Sequence, residues 1–90
     1  MEFEFDPAKS AANLAKHGLD FVTGQVHWSD PSALIGPARE DGEKRKMIIA
    51  RAVGKIWFGV FVERGATVRI SSIRRARVAE VSTYEQARQE

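Results

Sequence analysis

Along the first residues Phe3 and Phe5 alternate with Glu2, Glu4 and Asp6, the two-residue period of a short strand with one dry face. Asp6-Pro7 ends that strand and opens a helix, because Asp is a favoured N-cap and proline suits the first helical turn. The helix is expected over Pro7–His17, with Gly18 as its stop. Ala8, Ala11, Ala12 and Ala15 fall on one of its faces, with Leu14 beside them. Asp20 repeats the cap signal and predicts a second, short helix to about Trp28, with Phe21, Val22, Val26 and Trp28 as its buried members. Gly24 weakens that helix, and Ser29-Asp30-Pro31 closes it, since the residue before proline is pushed out of the helical region.

From residue 33 the period becomes that of strands. Residues 33–35 form a short one, and 37–44 read as a polar loop bounded by Gly36 and holding Gly42. Residues 45–53 (RKMIIARAV) and 55–64 (KIWFGVFVER) flank Gly54-Lys55, which reads as a two-residue hairpin turn with glycine first. Arg64-Gly65-Ala66 supplies the next turn and 67–73 the next strand, so three strands make an antiparallel meander. In the middle strand Ile56, Phe58, Val60 and Val62 point one way and Trp57 and Phe61 the other, the mark of a strand covered on both faces. Residues 76–88 predict a closing helix with Val78, Val81 and Tyr84 on one side. The pattern therefore predicts one α+β domain over residues 1–90: a short N-terminal strand, two helices, a meander sheet and a C-terminal helix.

Val68 and Ile70 share a face of the last strand, and Ile73 falls out of phase with them. A bulge or a strand end near Ser71-Ser72 repairs the phase and would re-aim Arg74 and Arg75 away from the ladder. Those arginines belong to the stretch RGATVRISSIRRAR, in which five of fourteen residues are arginine and none is acidic.

Charge sharpens that observation. The chain has a formal net charge of only +2, yet residues 1–30 carry a net −3, residues 31–77 a net +7 and the last thirteen a net −2. The middle of the chain is thus the expected polyanion-facing part. All the cations of the arginine stretch are guanidinium groups, which grip phosphate oxygens in pairs and stay charged at neutral pH. The plainer reading is an edge strand made positive against aggregation.

Composition removes several chemistries. With no cysteine there is no disulfide framework, thiolate zinc site or thiol nucleophile, and a reducing cytoplasmic setting is expected. No stretch approaches the ~20 apolar residues of a bilayer span, and the acidic start lacks the positive end of a secretory signal. His17 and His27 are isolated from metal-ligand spacings, and neither a glycine-rich phosphate loop nor a serine nucleophile motif is present. No metal and no cofactor is expected. A chain of 90 residues buries only about 60–65% of its unfolded surface, so a protein partner is a reasonable expectation.

Metal-free phosphate chemistry points to RNA. Its 2′-hydroxyl is a built-in nucleophile, so cleavage needs only a base, cations around the crowded phosphorane and a proton for the departing 5′-oxygen. Lys16 and His17 end the first helix, where a cation is favoured, and either they serve such chemistry or they merely answer the last carbonyls. Glu63 and Glu43 are candidate bases or surface ion-pair partners, and His27 is a packed or surface histidine.

The segments EFEFDPAKSAANLAKHGLDF, SDP, GEKR, VERGATVRISSIRRAR and the late YE, in that order, resemble the BrnT family of ribonuclease toxins from bacterial type II toxin–antitoxin systems. The resemblance spans nearly the whole chain. It implies a fold similar to the RelE and ParE toxins and a ribonuclease that stops translation. It also implies a BrnA-type antitoxin partner whose ribbon-helix-helix part binds operator DNA, so that this chain meets DNA only indirectly. Carried over by position, the family pattern implies Lys16, His17 and Gly18 at the helix end, then Glu63, Arg64 and Gly65 at a turn. Arg69, Arg74 and Arg75 follow as strand arginines, and Glu80, Tyr84 and Glu85 come late. It thus implies catalytic roles for His17, Glu63, Arg64, Arg69 and Arg74, and RNA contacts for Lys16, Arg74, Arg75 and Tyr84. Tyr84 has packing of the last helix as its other reading. The family usually continues after Arg75-Ala76 with Thr and a basic run. Here Arg77, Val78 and Ala79 follow, which removes Arg77 from the site and suggests a packing or antitoxin-binding helix. The alternative to an enzyme is a binding module that holds RNA, DNA or an acidic protein, or a ParE-like gyrase poison.

Overall fold

The computed structural model describes residues 1–38 and 44–88. Glu43 and most of the expected polar loop lie outside the described residues. The elements run β1 (Glu2–Glu4), α1 (Pro7–His17), a 3-10 helix (Thr23–Ser29), β2 (Leu34–Pro37), β3 (Lys46–Ala52), β4 (Lys55–Arg64), β5 (Thr67–Arg75) and α2 (Val78–Arg88). The α+β class follows the periodicity.

The sheet is mixed, with strand order β1-β5-β4-β3-β2. β2 to β5 form antiparallel pairs, whereas β1 adds parallel to β5, Phe3 beside Val68, and makes the sheet more than a meander. Residues opposite one another in a ladder share a face. Ile48, Ala50, Trp57, Phe61, Val68, Ile70 and Ile73 accordingly build the main core against Leu19 and Phe21, with Phe3, Phe5 and Trp28 packed around them. Ile49, Ile56 and Tyr84 build a smaller core on the other face, with Leu34, Met47, Phe58 and Val81. β4 is fully covered on one face only: Trp57, Gly59 and Phe61 are buried, whereas on the other face Ile56 is buried and Phe58, Val60 and Val62 are half-buried, so the second face is less covered than the sequence predicts.

Asp6 caps α1 through the Ala8 N–H (2.9 Å), and Gly18 ends it in the left-handed region at φ 83°. The buried face of α1 is not the alanine face. Ser10 and Asn13 turn inward, while the four alanines and Leu14 face solvent. The reason is hydrogen bonding: Ser10 Oγ accepts from the Phe21 N–H (2.9 Å). Asn13 Nδ2 donates to the Leu19 and Ile73 carbonyls (2.7 and 2.8 Å), and its Oδ1 accepts from the Ile73 N–H (3.2 Å). These bonds satisfy backbone groups where the chain leaves α1 and at the irregular part of β5, where no ladder partner serves them.

The second helix is 3-10 rather than α, and its buried residues are Gly24 and His27; Val22 and Val26 are exposed. A Cβ at Gly24 would stand 2.4 Å from Ile73 Cδ1, so any larger residue there would require the Ile73 side chain to shift. At the far end of the chain Tyr84 is buried and Val81 half-buried, but Val78 is 88% exposed, so the inward face of α2 is narrower than its spacing predicts.

Two details of the ladder position side chains. The hairpin turn is Val53-Gly54, one residue earlier than expected, with both residues at positive φ (46° and 76°). That is a type I′ turn, whose twist suits an antiparallel pair, and its register sets Ile48 against Gly59 and Ala50 against Trp57, large against small. In β5 the register slips as expected: Val60 pairs with Ser72 and Phe61 with Ile70, leaving Ser71 as the extra residue of a bulge. Ile73 thereby rejoins Val68 and Ile70. Arg74 and Arg75 do not leave the ladder, however; they pair with Phe58 and Trp57.

Candidate active site

The bulge decides where the arginines go. Beyond Ser71 the alternation is reversed, so Arg75 shares Trp57's face, toward α1, while Arg74 shares Phe58's face, toward α2. Arg69 pairs with Val62 and Arg64 with Thr67, both on the α2 side.

On the α1 side a cleft of about 300 Å³ opens between the end of α1 and the β3–β4 hairpin. His17, Lys55, Arg75 and Thr23 are its polar members, Leu14, Leu19, Val53 and Trp57 its apolar ones, and Gly18 and Asp20 complete it. Local structure fixes each part. His17 is the last residue of α1, and the Gly18 N–H returns to the Leu14 carbonyl (2.9 Å). Asp20 Oδ1 accepts from the Val22 and Thr23 N–H groups (3.1 and 2.7 Å) and holds that wall. Trp57 is a buried floor whose Nε1–H donates to the Ala52 carbonyl (2.9 Å), and the Arg75 guanidinium lies 5.6 Å from the centre of its ring. The Asn13 bonds to Ile73 tie the helix that carries His17 to the strand that carries Arg75.

The structure therefore brings His17 and Arg75 together and adds Lys55 to them. Lys55 has no helical or glycine-rich signature. The signal available in the sequence was its place at the start of the strand that bears Trp57. Lys16 is exposed on the last turn of α1, next to the cleft rather than among its lining residues. Glu63 is exposed and pairs with Lys46; it lies six residues along β4 from Trp57, about 20 Å at ~3.3 Å per residue. It stands well outside the cleft.

The α2 side holds its arginines differently. Arg74 makes a two-pronged contact with Glu80 (Nη1–Oε1 2.9 Å, Nη2–Oε2 2.8 Å) and lies 4.3 Å above the Phe58 ring. Glu80 Oε1 also accepts from the Arg77 N–H (2.8 Å) at the start of α2. Hydrogen bonding to Arg74, acting against burial, holds the Glu80 carboxyl below its ordinary 4.5. Arg69 faces Glu4 at 3.6 Å. Tyr84 is 1% exposed, and its hydroxyl donates to Asp30 Oδ2 (2.6 Å), so packing of α2 is the role the structure displays for it.

Asp30 is the residue sequence reasoning undervalued. Besides Tyr84 it accepts from the Ser32 N–H and the Arg51 N–H, each at 2.8 Å. Burial would raise its carboxyl; the Arg51, Tyr84 and Ser32 bonds outweigh this and hold it below 3.8. His27 is a core histidine: it is fully buried, and its Nδ1 lies 2.7 Å from the Gly24 carbonyl. Burial lowers it from 6.5, against the Gly24 carbonyl and the Asp30 charge.

Among the described residues no group of three or more His, Cys, Asp or Glu lies together as a metal-binding set, and no helix is long and apolar enough to cross a membrane. Fold and cleft together define a small α+β protein that presents an imidazole and two cations in one concavity. The family model described as the ribonuclease toxin BrnT of type II toxin–antitoxin systems matches residues 5–80. The chain belongs to that family, and with it to toxins that act on RNA and are paired with an antitoxin. No individually curated protein matches the chain.

Proposed function

We propose that the chain is a metal-independent endoribonuclease whose reaction takes place in the cleft of His17, Lys55 and Arg75. The observation that carries this reading is the convergence of those three side chains on one concavity at the end of α1. His17 takes the proton of the 2′-hydroxyl as its oxygen attacks phosphorus. The bond to the 5′-oxygen then breaks, and His17 returns the proton to that oxygen, leaving a 2′,3′-cyclic phosphate and a 5′-hydroxyl. Arg75 and Lys55 stabilise the charge that gathers on the phosphoryl oxygens, and Lys16 holds the strand at the mouth. Arg64, Arg69 and Arg74 stand across the sheet from the cleft, Arg69 and Arg74 facing Glu4 and Glu80, and take no part in breaking the bond. Tyr84 supports α2, and Glu63 is left as a partner of Lys46.

In this reading the toxin works in the cytoplasm on a RelE-like scaffold, arrests translation by cutting RNA, and is neutralised by a BrnA-type antitoxin with a ribbon-helix-helix part. The test uses purified protein, a chelator and an end-labelled single-stranded RNA. Cleavage that leaves a cyclic phosphate, lost in His17→Ala at unchanged thermal midpoint, is expected. RNA that is bound and left intact indicates the non-catalytic binding module instead, and inhibited supercoiling with intact RNA indicates a gyrase poison.

A further inference from the structure

Val53 is the one non-glycine residue with positive φ among those described, at 46°. A β-branched side chain is poorly tolerated there, and the first position of a type I′ turn ordinarily goes to Asn, Asp or Gly. The surrounding structure enforces the conformation: Gly54 follows at φ 76°, and the Trp57 indole N–H holds the Ala52 carbonyl directly before the turn. Strained backbone of this kind clusters at functional sites. Its result here is an isopropyl group that is 65% exposed and lines the same cleft as His17, Lys55 and Arg75. On the α1 wall Leu14 is 50% exposed and lines that cleft too. Neither side chain belongs to the core. The cleft therefore has two parts, a cationic part for phosphate and a pair of exposed aliphatic groups carried by separate elements.

We propose that Leu14 and Val53 are the base-holding lips of this cleft, gripping the nucleobase next to the phosphate held by Lys55 and Arg75. Resting on the ribonuclease reading above, the assignment names which feature of the substrate is read. Aliphatic groups offer no donor or acceptor to a base edge, so they select by the area of the flat ring: purine over pyrimidine. The base must also be unstacked to enter, which excludes duplex RNA.

The test measures binding of 2′-O-methyl hexamers of A and of U, which lack the nucleophile and remain uncut, by fluorescence anisotropy. The wild-type protein is expected to prefer the A hexamer by about fivefold. Val53→Asn and Leu14→Ser should each bring that ratio to within about twofold. Val53→Asn should also raise the thermal midpoint by about 4 °C or more, because Asn-Gly relieves the turn. A packing residue would show the opposite shift. The proposal is overturned by a wild-type protein without base preference, by either variant keeping the wild-type ratio, or by a lowered midpoint in Val53→Asn. If the ratios behave as expected but RNA with a free 2′-hydroxyl stays intact, the ribonuclease reading fails and the base-holding lips stand.

Discussion

The two faces of the sheet solve the same problem, keeping arginines on a small protein, in opposite ways. On the α2 face Arg74 and Arg69 each face a carboxylate, Glu80 and Glu4. On the α1 face Arg75 lies over an indole, with His17 and Lys55 lining the same cleft, and the one carboxylate there, Asp20, is bound to backbone N–H groups. Arg74 and Arg75 both lie over rings, so the carboxylate makes the difference: a guanidinium matched to one has its charge answered, whereas one lining a cleft with other cations keeps its attraction for an incoming anion. Counting arginines along a strand therefore says less about function than knowing which face each one reaches.

The largest test of this contrast removes the tie between α1 and β5. Asn13→Ala leaves the Ile73 N–H and the Leu19 and Ile73 carbonyls without their partner, and a loss of about 4 kcal/mol in urea unfolding is expected. Next, Arg75→Ala should slow RNA cleavage by about 100-fold, while Arg69→Ala on the other face changes it by less than about threefold. Comparable losses from the two would abolish the distinction between faces. A smaller effect is expected from Tyr84→Phe, which deletes one bond to Asp30 and should cost about 1.5 kcal/mol of stability without altering cleavage.

Acid separates the faces more gently. His27, on the α1 side, has a folded pKa below its ordinary 6.5, so the unfolded chain takes the proton first and stability starts to fall as pH drops below 6.5. Asp30 and Glu80 have folded values below 3.8 and 4.5. Their contribution is complete above those values and is lost as pH falls through the depressed ones. Urea midpoints across this range should therefore fall in two stages, and His27→Gln should remove only the upper one.

Much of this architecture was legible in the sequence because it is written locally. Asp6-Pro7 and Gly18 bound α1, the apolar pattern of 55–64 marks the central strand of the sheet, and the misplaced Ile73 announces the bulge. What escaped depends on groups far apart in the chain. Ser10 and Asn13 face inward because carbonyls and N–H groups at Leu19, Phe21 and Ile73 need them, a demand that helical periodicity cannot register. The parallel docking of β1 on β5 is equally non-local. The candidate site was half legible: Lys16, His17 and the arginines stood out by type, but sorting them required the register of β5, and Lys55 was visible only once the hairpin was closed.

The extra residue at Ser71 acts as a parity bit for everything after it in the strand. Arg74 and Arg75 are chemically identical neighbours, and a single inserted position determines which of them meets the cleft and which is given to Glu80. A scaffold of this kind can move a cation from one side to the other without changing any side chain, since a one-residue insertion or deletion exchanges their assignments. Alignments that tolerate a gap at this point would equate residues whose side chains occupy opposite sides of the molecule.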